Sequence, residues 1–159
     1  MHAAPDWTHD RVAAARAGTN PTVLARLSTG WAVIGDTQHL PGYCVLLHDG
    51  GAEQLLDLPR AEQVAFLADL ALLGVAVAGV CRRRDPAFAR INLEVLGNAL
   101  PRLHGHVHAR YAWEPEERRR GPVWLYGGER GAAAHRLGPR HDGLRADLTA
   151  ALRGAARPG

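Results

Sequence analysis

The chain contains no lysine: all nineteen of its basic residues are arginine. Alanine and glycine are also abundant, so this is a composition bias and not a nucleic-acid signature, and the net charge is only +3. Two arginine triplets, Arg82-Arg83-Arg84 and Arg118-Arg119-Arg120, read as solvated loops and not as phosphate contacts. Cysteine is scarce. Cys44 and Cys81 lie in apolar runs with no CxxC or Cys/His spacing, which excludes a disulfide scaffold or a zinc module and suits buried thiols in a reducing, cytoplasmic setting. Long charge-free runs are missing as well. Leu70 to Cys81 is twelve residues, against about 20 for a membrane span. Met1 to Asp6 has no basic region leading into an apolar run, so no secretory signal is expected. Neither a membrane nor a nucleic acid is expected as partner. What is present is ordinary globular composition, 47% hydrophobic and 22% charged over 159 residues, enough for one core.

Residues 1–20 read as a short helix ending at Gly18-Thr19-Asn20-Pro21. Thr22 to Leu27 and Trp31 to Gly35, parted by Ser28-Thr29-Gly30, predict a hairpin. Pro41-Gly42 introduces a strand over Tyr43 to Leu47. Asp57 is placed to cap a helix with Pro59 in its first turn. That helix shows Val64, Leu67, Leu70, Ala71, Gly74, Val77, Ala78 and Cys81 at i, i+3, i+4 spacing, which predicts its buried face. Arg90 to Leu96 and Leu103 to Tyr111 read as strands joined through Gly97-Asn98. Residues 127–140 are Gly-rich and read as a mobile link, and Asp142 to Ala156 as a last helix. The order predicts an α+β domain with an antiparallel sheet. It divides into an extension over 1–20, a central domain over 21–126 and a Gly/Arg-rich C-terminal extension over 127–159.

His104, His106 and His108 recur with period two, so in a strand all three imidazoles share one face with Arg102. Imidazoles so placed can hold a transition metal, act as nucleophile and general acid, or line a solvated face. The spacing alone leaves metal and nucleophile undecided.

The surrounding residues narrow the choice. Asn92-Leu93-Glu94-Val95-Leu96-Gly97-Asn98, three residues, then Arg102-Leu103-His104-Gly105-His106-Val107-His108-Ala109-Arg110-Tyr111 resembles the signature segment of the histidine triad (HIT) family. Within it, the segment is similar to the bacterial diadenosine polyphosphate hydrolase-like branch. Gly35-Asp36-Thr37-Gln38-His39-Leu40-Pro41-Gly42-Tyr43-Cys44-Val45-Leu46-Leu47 resembles the family's nucleotide-binding strand pair, and the likeness covers about residues 22–126.

The resemblance implies a five-stranded antiparallel sheet with two main helices, paired into a homodimer. It also implies a nucleotide hydrolase or nucleotidyl transferase. A histidine attacks the α-phosphorus of a dinucleoside polyphosphate or nucleoside phosphoramidate, and water then resolves a covalent nucleotidyl-histidine. No cofactor or metal is built in, although the substrate can carry Mg²⁺. Read literally, the three histidines make His106 central. The flanking Gly97-Asn98 and Arg110-Tyr111 instead put Arg102 in the first triad position, His104 in the central, nucleophilic one and His106 in the third. His106 then binds phosphoryl oxygens and helps the leaving group depart, and His108 is a spare imidazole at the edge of the substrate site. The resemblance assigns Asp36 to the ribose hydroxyls and Asn92, Gly97 and Asn98 to the phosphate side. Arg102 is placed to pair with polyphosphate. Trp113, Trp124 and Tyr126 read as cover for the sheet edge or a dimer partner. The alternatives are a non-catalytic nucleotide-binding protein, since Arg102 stands in the first triad position, and a metal-binding HxHxH protein.

Overall fold

The computed structural model describes residues 6–155. Most of the segment tested for a leader, Met1 to Pro5, and the expected last helical residue, Ala156, lie outside the described residues. Five strands form one antiparallel sheet: β1 (Val23–Arg26), β2 (Gly30–Ile34), β3 (Cys44–His48), β4 (Phe88–Leu96) and β5 (His104–Tyr111). They stand in the order β1-β2-β3-β5-β4, so β5 is interior and β4 is an edge. The helices are α1 (Arg11–Arg16), α2 (Arg60–Arg84), the single turn α3 (Glu116–Arg119) and α4 (Asp142–Ala155). The α+β class and antiparallel sheet expected from the sequence are therefore observed.

Period-two alternation splits the sheet into two faces. One carries Ala32, Ile34, Cys44, Leu46, Val107 and Ala109, all buried in the main core with Leu70, Leu73 and Val77 of α2 and Leu148 and Leu152 of α4. Glycine at 105 lets α2 lie close, since a Cβ there would stand 2.7 Å from Leu70 Cδ1. The opposite face carries the histidines and a smaller cluster of Val33 and Leu47 under Val12 of α1.

The helix face predicted for α2 is rotated. Phe66, Leu73 and Val80 join Leu70, Val77 and Cys81 inside, while Val64, Leu67 and Ala71 are exposed. The helix is apolar nearly all round, so its period had no strong direction. By length and composition α2 could also cross a bilayer; here its inner side packs on the sheet. Asp57 does not cap α2, whose N-cap position is Pro59. Its carboxylate turns back to accept the Glu53 and Gln54 backbone N–H groups at 3.1 and 3.2 Å. Buried Asp69 instead holds the β1–β2 turn, accepting from Ser28 Oγ at 3.0 Å and Thr29 N at 2.6 Å.

The stretch 127–140 is tied down. Leu137 N donates to Asp36 O at 2.8 Å, Gln38 N to His135 O at 2.7 Å, and the Thr37 hydroxyl to Arg130 O. Its glycines supply turns, with Gly127 at φ 56°, and its backbone is matched to the 36–38 loop.

Candidate active site

The histidine row lies mid-sheet because β5 is interior. His104 pairs with Leu47 and Leu96, His106 with Val45 and Glu94, and His108 with Asn92 across β4. Ring centroids are 4.8 Å apart for His104 and His106, and 5.9 Å for His106 and His108.

Each histidine has a different environment. His104 is half-buried, and its Nδ1 lies 2.5 Å from the Arg102 carbonyl oxygen. A carbonyl only accepts, so Nδ1 carries a proton, and in the neutral imidazole Nε2 presents a bare lone pair. His106 is buried and its Nδ1 lies 2.8 Å from the Tyr43 hydroxyl. Burial, then the neighbouring His104 and Arg130, push its pKa down to about 4. His108 is only 1% exposed, and its Nε2 has no hydrogen-bond partner among the described residues. Burial, then Arg130, His106 and Arg110, push its pKa down to about 2. The expectation of a rim imidazole for His108 is therefore corrected. Tyr43 stacks on it at 4.3 Å and 4°, and the Trp124 ring stands edge-on at 5.6 Å.

Arg102 is not on the strand, because the chain turns through an Arg102 N–H to Leu100 O bond and β5 begins at His104. Its guanidinium reaches Asp10, the N-cap of α1, at 3.4 Å. Asp36 is exposed beyond the end of β2 and is gripped by Arg11 through both carboxylate oxygens. Asn92 Oδ1 accepts from Arg110 Nη1 at 2.8 Å. Gly97 and Asn98 line a separate cleft with Glu53, Gln54 and Pro101. Gly97 does not have a positive φ, and a Cβ would make only ordinary 3.5 Å contact. The structure therefore gathers the three histidines, keeps Asp36 and Asn92 engaged with arginines, and gives Gly97 and Asn98 a cleft of their own.

Three residues not assigned to the site from the sequence complete the wall, among them Trp124, expected from the sequence to cover the sheet edge or a dimer partner. Tyr43 faces His106 and His108. Trp124 lies 5.0 Å from His106, its indole N–H given to Glu94. Arg130 lies 4.2 Å over Trp124. Of the aromatic cluster only Trp124 meets the histidines, whereas Trp113 stacks on Tyr111 and Tyr126 donates to Glu114. Among the described residues, no group of three or more His, Cys, Asp and Glu side chains is arranged to hold a metal ion.

No family model matches the chain, and no curated protein matches it. Solved structures do. A histidine triad protein from Sinorhizobium meliloti superposes with TM-score 0.67 at 20% identity, covering 86% of this chain and 93% of its own. The chain has the histidine triad fold. A hypothetical histidine triad nucleotide-binding protein from Sulfolobus tokodaii gives TM-score 0.66 at 8% identity over 92% of this chain and 93% of its own. A zinc-bound histidine triad family protein from Mycobacterium smegmatis gives 0.59 at 16%, over 89% and 91%. Identities this low carry the histidine triad fold and leave its chemistry to the residues.

The depressed histidines give a stability prediction. The unfolded chain takes up protons below its ordinary histidine value of 6.5, while folded His106 and His108 stay neutral to about 4 and about 2. Stability is therefore full above pH 6.5 and falls as pH drops, by ~1.4 kcal/mol per pH unit for each histidine. Urea unfolding between pH 7 and 5 measures the slope. His108→Phe keeps a flat ring against Tyr43, removes the orphaned nitrogen, and should take away one histidine's share. An unchanged slope would show that His108 does not stay neutral in the fold.

Proposed function

We propose that the chain is a nucleotide hydrolase or nucleotidyl transferase. It would cleave at the α-phosphate of a dinucleoside polyphosphate, such as a diadenosine polyphosphate, or of a nucleoside phosphoramidate. The observation that carries the proposal is His104, whose Nδ1–H is held by the Arg102 carbonyl so that the neutral ring offers Nε2 as the nucleophile. Its lone pair attacks the α-phosphorus in line, and the bond to the leaving group breaks with its electrons on that group. Water then attacks the same phosphorus, the P–N bond breaks, and nucleoside monophosphate and free His104 result, two displacements in place of one harder step. His106 binds the phosphoryl oxygens. Asp36 accepts from the ribose hydroxyls once Arg11 yields it, and Arg102 attracts the polyphosphate. The Sulfolobus neighbour, a hypothetical histidine triad nucleotide-binding protein, agrees with the substrate class.

The test is incubation with dinucleoside polyphosphates and nucleoside phosphoramidates, with detection of nucleoside monophosphate. A chiral α-phosphorothioate should react with net retention; clean inversion excludes the intermediate. The purified chain should hold well under one metal ion per chain. One zinc per chain, lost together with turnover when His104 and His106 are replaced, would favour the metal role instead. A non-catalytic nucleotide-binding role is the second reading, because Arg102 stands in the first triad position and its guanidinium is paired with Asp10. Binding without release of monophosphate is its signature.

A cytoplasmic homodimer is part of the proposal. Cys44 and Cys81 are free and buried, as in a reducing compartment. Val64, Leu67 and Val75 on the outer side of α2 are 54%, 44% and 72% exposed. Leu93 and Leu96 are exposed on the β4 edge. An apolar face beside an unpaired strand edge is suited to burial against a second copy. Val75→Glu combined with Leu93→Glu should weaken the dimer about 100-fold or more. Sedimentation equilibrium measures this, and an unchanged mass distribution would place any dimer contact elsewhere.

A further inference from the structure

Tyr43 has no role in the chemistry above, yet the fold invests several contacts in its position. Gly42 takes φ +97° just before it. The Tyr43 carbonyl accepts from Gln38 Nε2 at 3.0 Å, and Gln38 Oε1 accepts from Gly42 N at 2.9 Å. Gly35 makes room for the ring, since a Cβ there would stand 2.1 Å from Tyr43 Cδ1. The ring lies flat on His108 at 4.3 Å. All of this delivers the hydroxyl to 2.8 Å from His106 Nδ1.

We propose that Tyr43, with Arg130 beside it, is a positioning residue that fixes His106 as the Nε2-protonated tautomer and so presents a neutral hydrogen-bond donor to the reacting phosphoryl group. The chemistry rests on the nucleotidyl-transfer function; the tautomer rests on geometry alone. A phenol and an imidazole nitrogen can share a proton either way round. Arg130 decides the direction. Its guanidinium lies 5.9 Å from the Tyr43 ring centroid, and its charge acts on the phenol. A neighbouring cation makes the phenol the better proton donor, and His106 Nδ1 is the hydroxyl's hydrogen-bond partner among the described residues, so the hydroxyl proton goes to Nδ1. The proton on His106 then sits on Nε2.

The other groups facing His106 do not compete for Nδ1. The Glu94 carboxylate takes the Trp124 indole N–H, His104 gives its Nδ1 proton to the Arg102 carbonyl, and His108 is stacked parallel to His106 at 5.9 Å. Burial holds the Tyr43 hydroxyl up at about 12, against the pull of Arg130. His106 therefore keeps its proton and works by donating a hydrogen bond, since full transfer would leave an imidazolate or a tyrosinate. Adjacent histidines on one strand are thus set to opposite tautomers by opposite partners at Nδ1: His104 is bare at Nε2 and His106 is protonated there. His108 gains a purpose as the flat support of the phenol.

Long-range ¹H–¹⁵N correlation on the full chain with ¹⁵N-labelled histidine reads the tautomers directly. His104 should be protonated at Nδ1 and His106 at Nε2. In Tyr43→Phe, His106 should become a mixture with His104 unchanged, and kcat should fall about tenfold with KM little altered. An Nδ1-protonated His106 in the unsubstituted chain, or an unchanged tautomer in Tyr43→Phe, overturns the proposal. If Tyr43→Phe does not fold, Arg130→Met carries the test: the His106 preference should weaken, and an unchanged preference overturns the proposal equally. Both tautomers as stated, without any nucleotide turnover, would remove the hydrolase function and keep the Tyr43 assignment.

Discussion

His104→Ala is expected to lower nucleotide turnover by roughly 10⁴-fold or more, with nucleotide binding still measurable. The magnitude follows from removing the attacking atom and not a supporting contact. His106→Ala should cost less, about 10²–10³-fold, because it removes a donor to charge that develops in the transition state. Residues two apart on a strand are displaced by about 6.5–7 Å, so only one imidazole can lie in line with the scissile bond. The Arg102 carbonyl is the contact that singles out His104. Arg102→Gln retains that carbonyl and should weaken binding more than chemistry. Single-turnover kinetics on the three variants decide the register: loss in His106→Ala with retention in His104→Ala would make His106 the nucleophile.

Glu114→Ala is expected to destabilise the fold by about 3–5 kcal/mol, a large share of the ~5–15 kcal/mol available to a domain. The Glu114 carboxylate is 0% exposed at its side chain and accepts Arg110 Nη2 at 2.9 Å, Tyr111 N at 2.7 Å and the Tyr126 hydroxyl at 2.8 Å. Arg110 in turn donates to Asn92 Oδ1 at 2.8 Å, Gly121 O at 2.8 Å and Arg118 O at 3.0 Å. Removing the carboxylate leaves a buried cation unpaired. Replacing both partners, Arg110→Met with Glu114→Leu, should cost less, because no buried charge is stranded. Urea unfolding measures each; a loss below 1 kcal/mol in Glu114→Ala would show the pair to be dispensable. Burial raises the carboxyl's pKa, but the bonds from Arg110, Tyr111 and Tyr126 and the Arg110 charge outweigh it, and the net shift is down from 4.5. The pair therefore stabilises the fold above pH 4.5 and is lost as pH falls through the folded value. Because Trp124 rides on the segment that this pair anchors to β5, the wall of the histidine site depends on it.

The strands were legible because local chemistry marks them. Ser28-Thr29-Gly30 and Pro41-Gly42 bracket β1 to β3, and alternation over 104–108 gives the shared face of the histidines. Alternation gives a face but not a depth. Burial of His108 depends on Tyr43 and Trp124, residues 65 positions before and 16 after it, whose arrival no spacing reports. Arg102 has the right parity but lies beyond a turn that Leu100 makes with it. Arg130 and the 127–140 segment looked unstructured because glycine is common there; their order comes from pairing with residues 36–38. The buried face of α2 is hidden from the sequence for the opposite reason, since apolar residues on nearly every side remove the contrast on which periodicity depends.

The six-residue α1 is too short to hold itself as a helix. It lies over the open face through Val12, on Val33 and Leu47, and through pairs at the solvent boundary: Arg11 with Asp36, Arg16 with Asp49, and Asp10 with Arg102. Such pairs are screened by dissolved electrolyte, over about 8 Å at 0.15 M and about 3 Å at 1 M. Ionic strength is therefore a handle on one face of the sheet and not the other. Raising it should loosen α1 first, freeing the Asp36 carboxylate and uncovering Val33 and Leu47 to an apolar dye, while the core between the sheet and α2, built among the described residues from apolar side chains, grows no weaker.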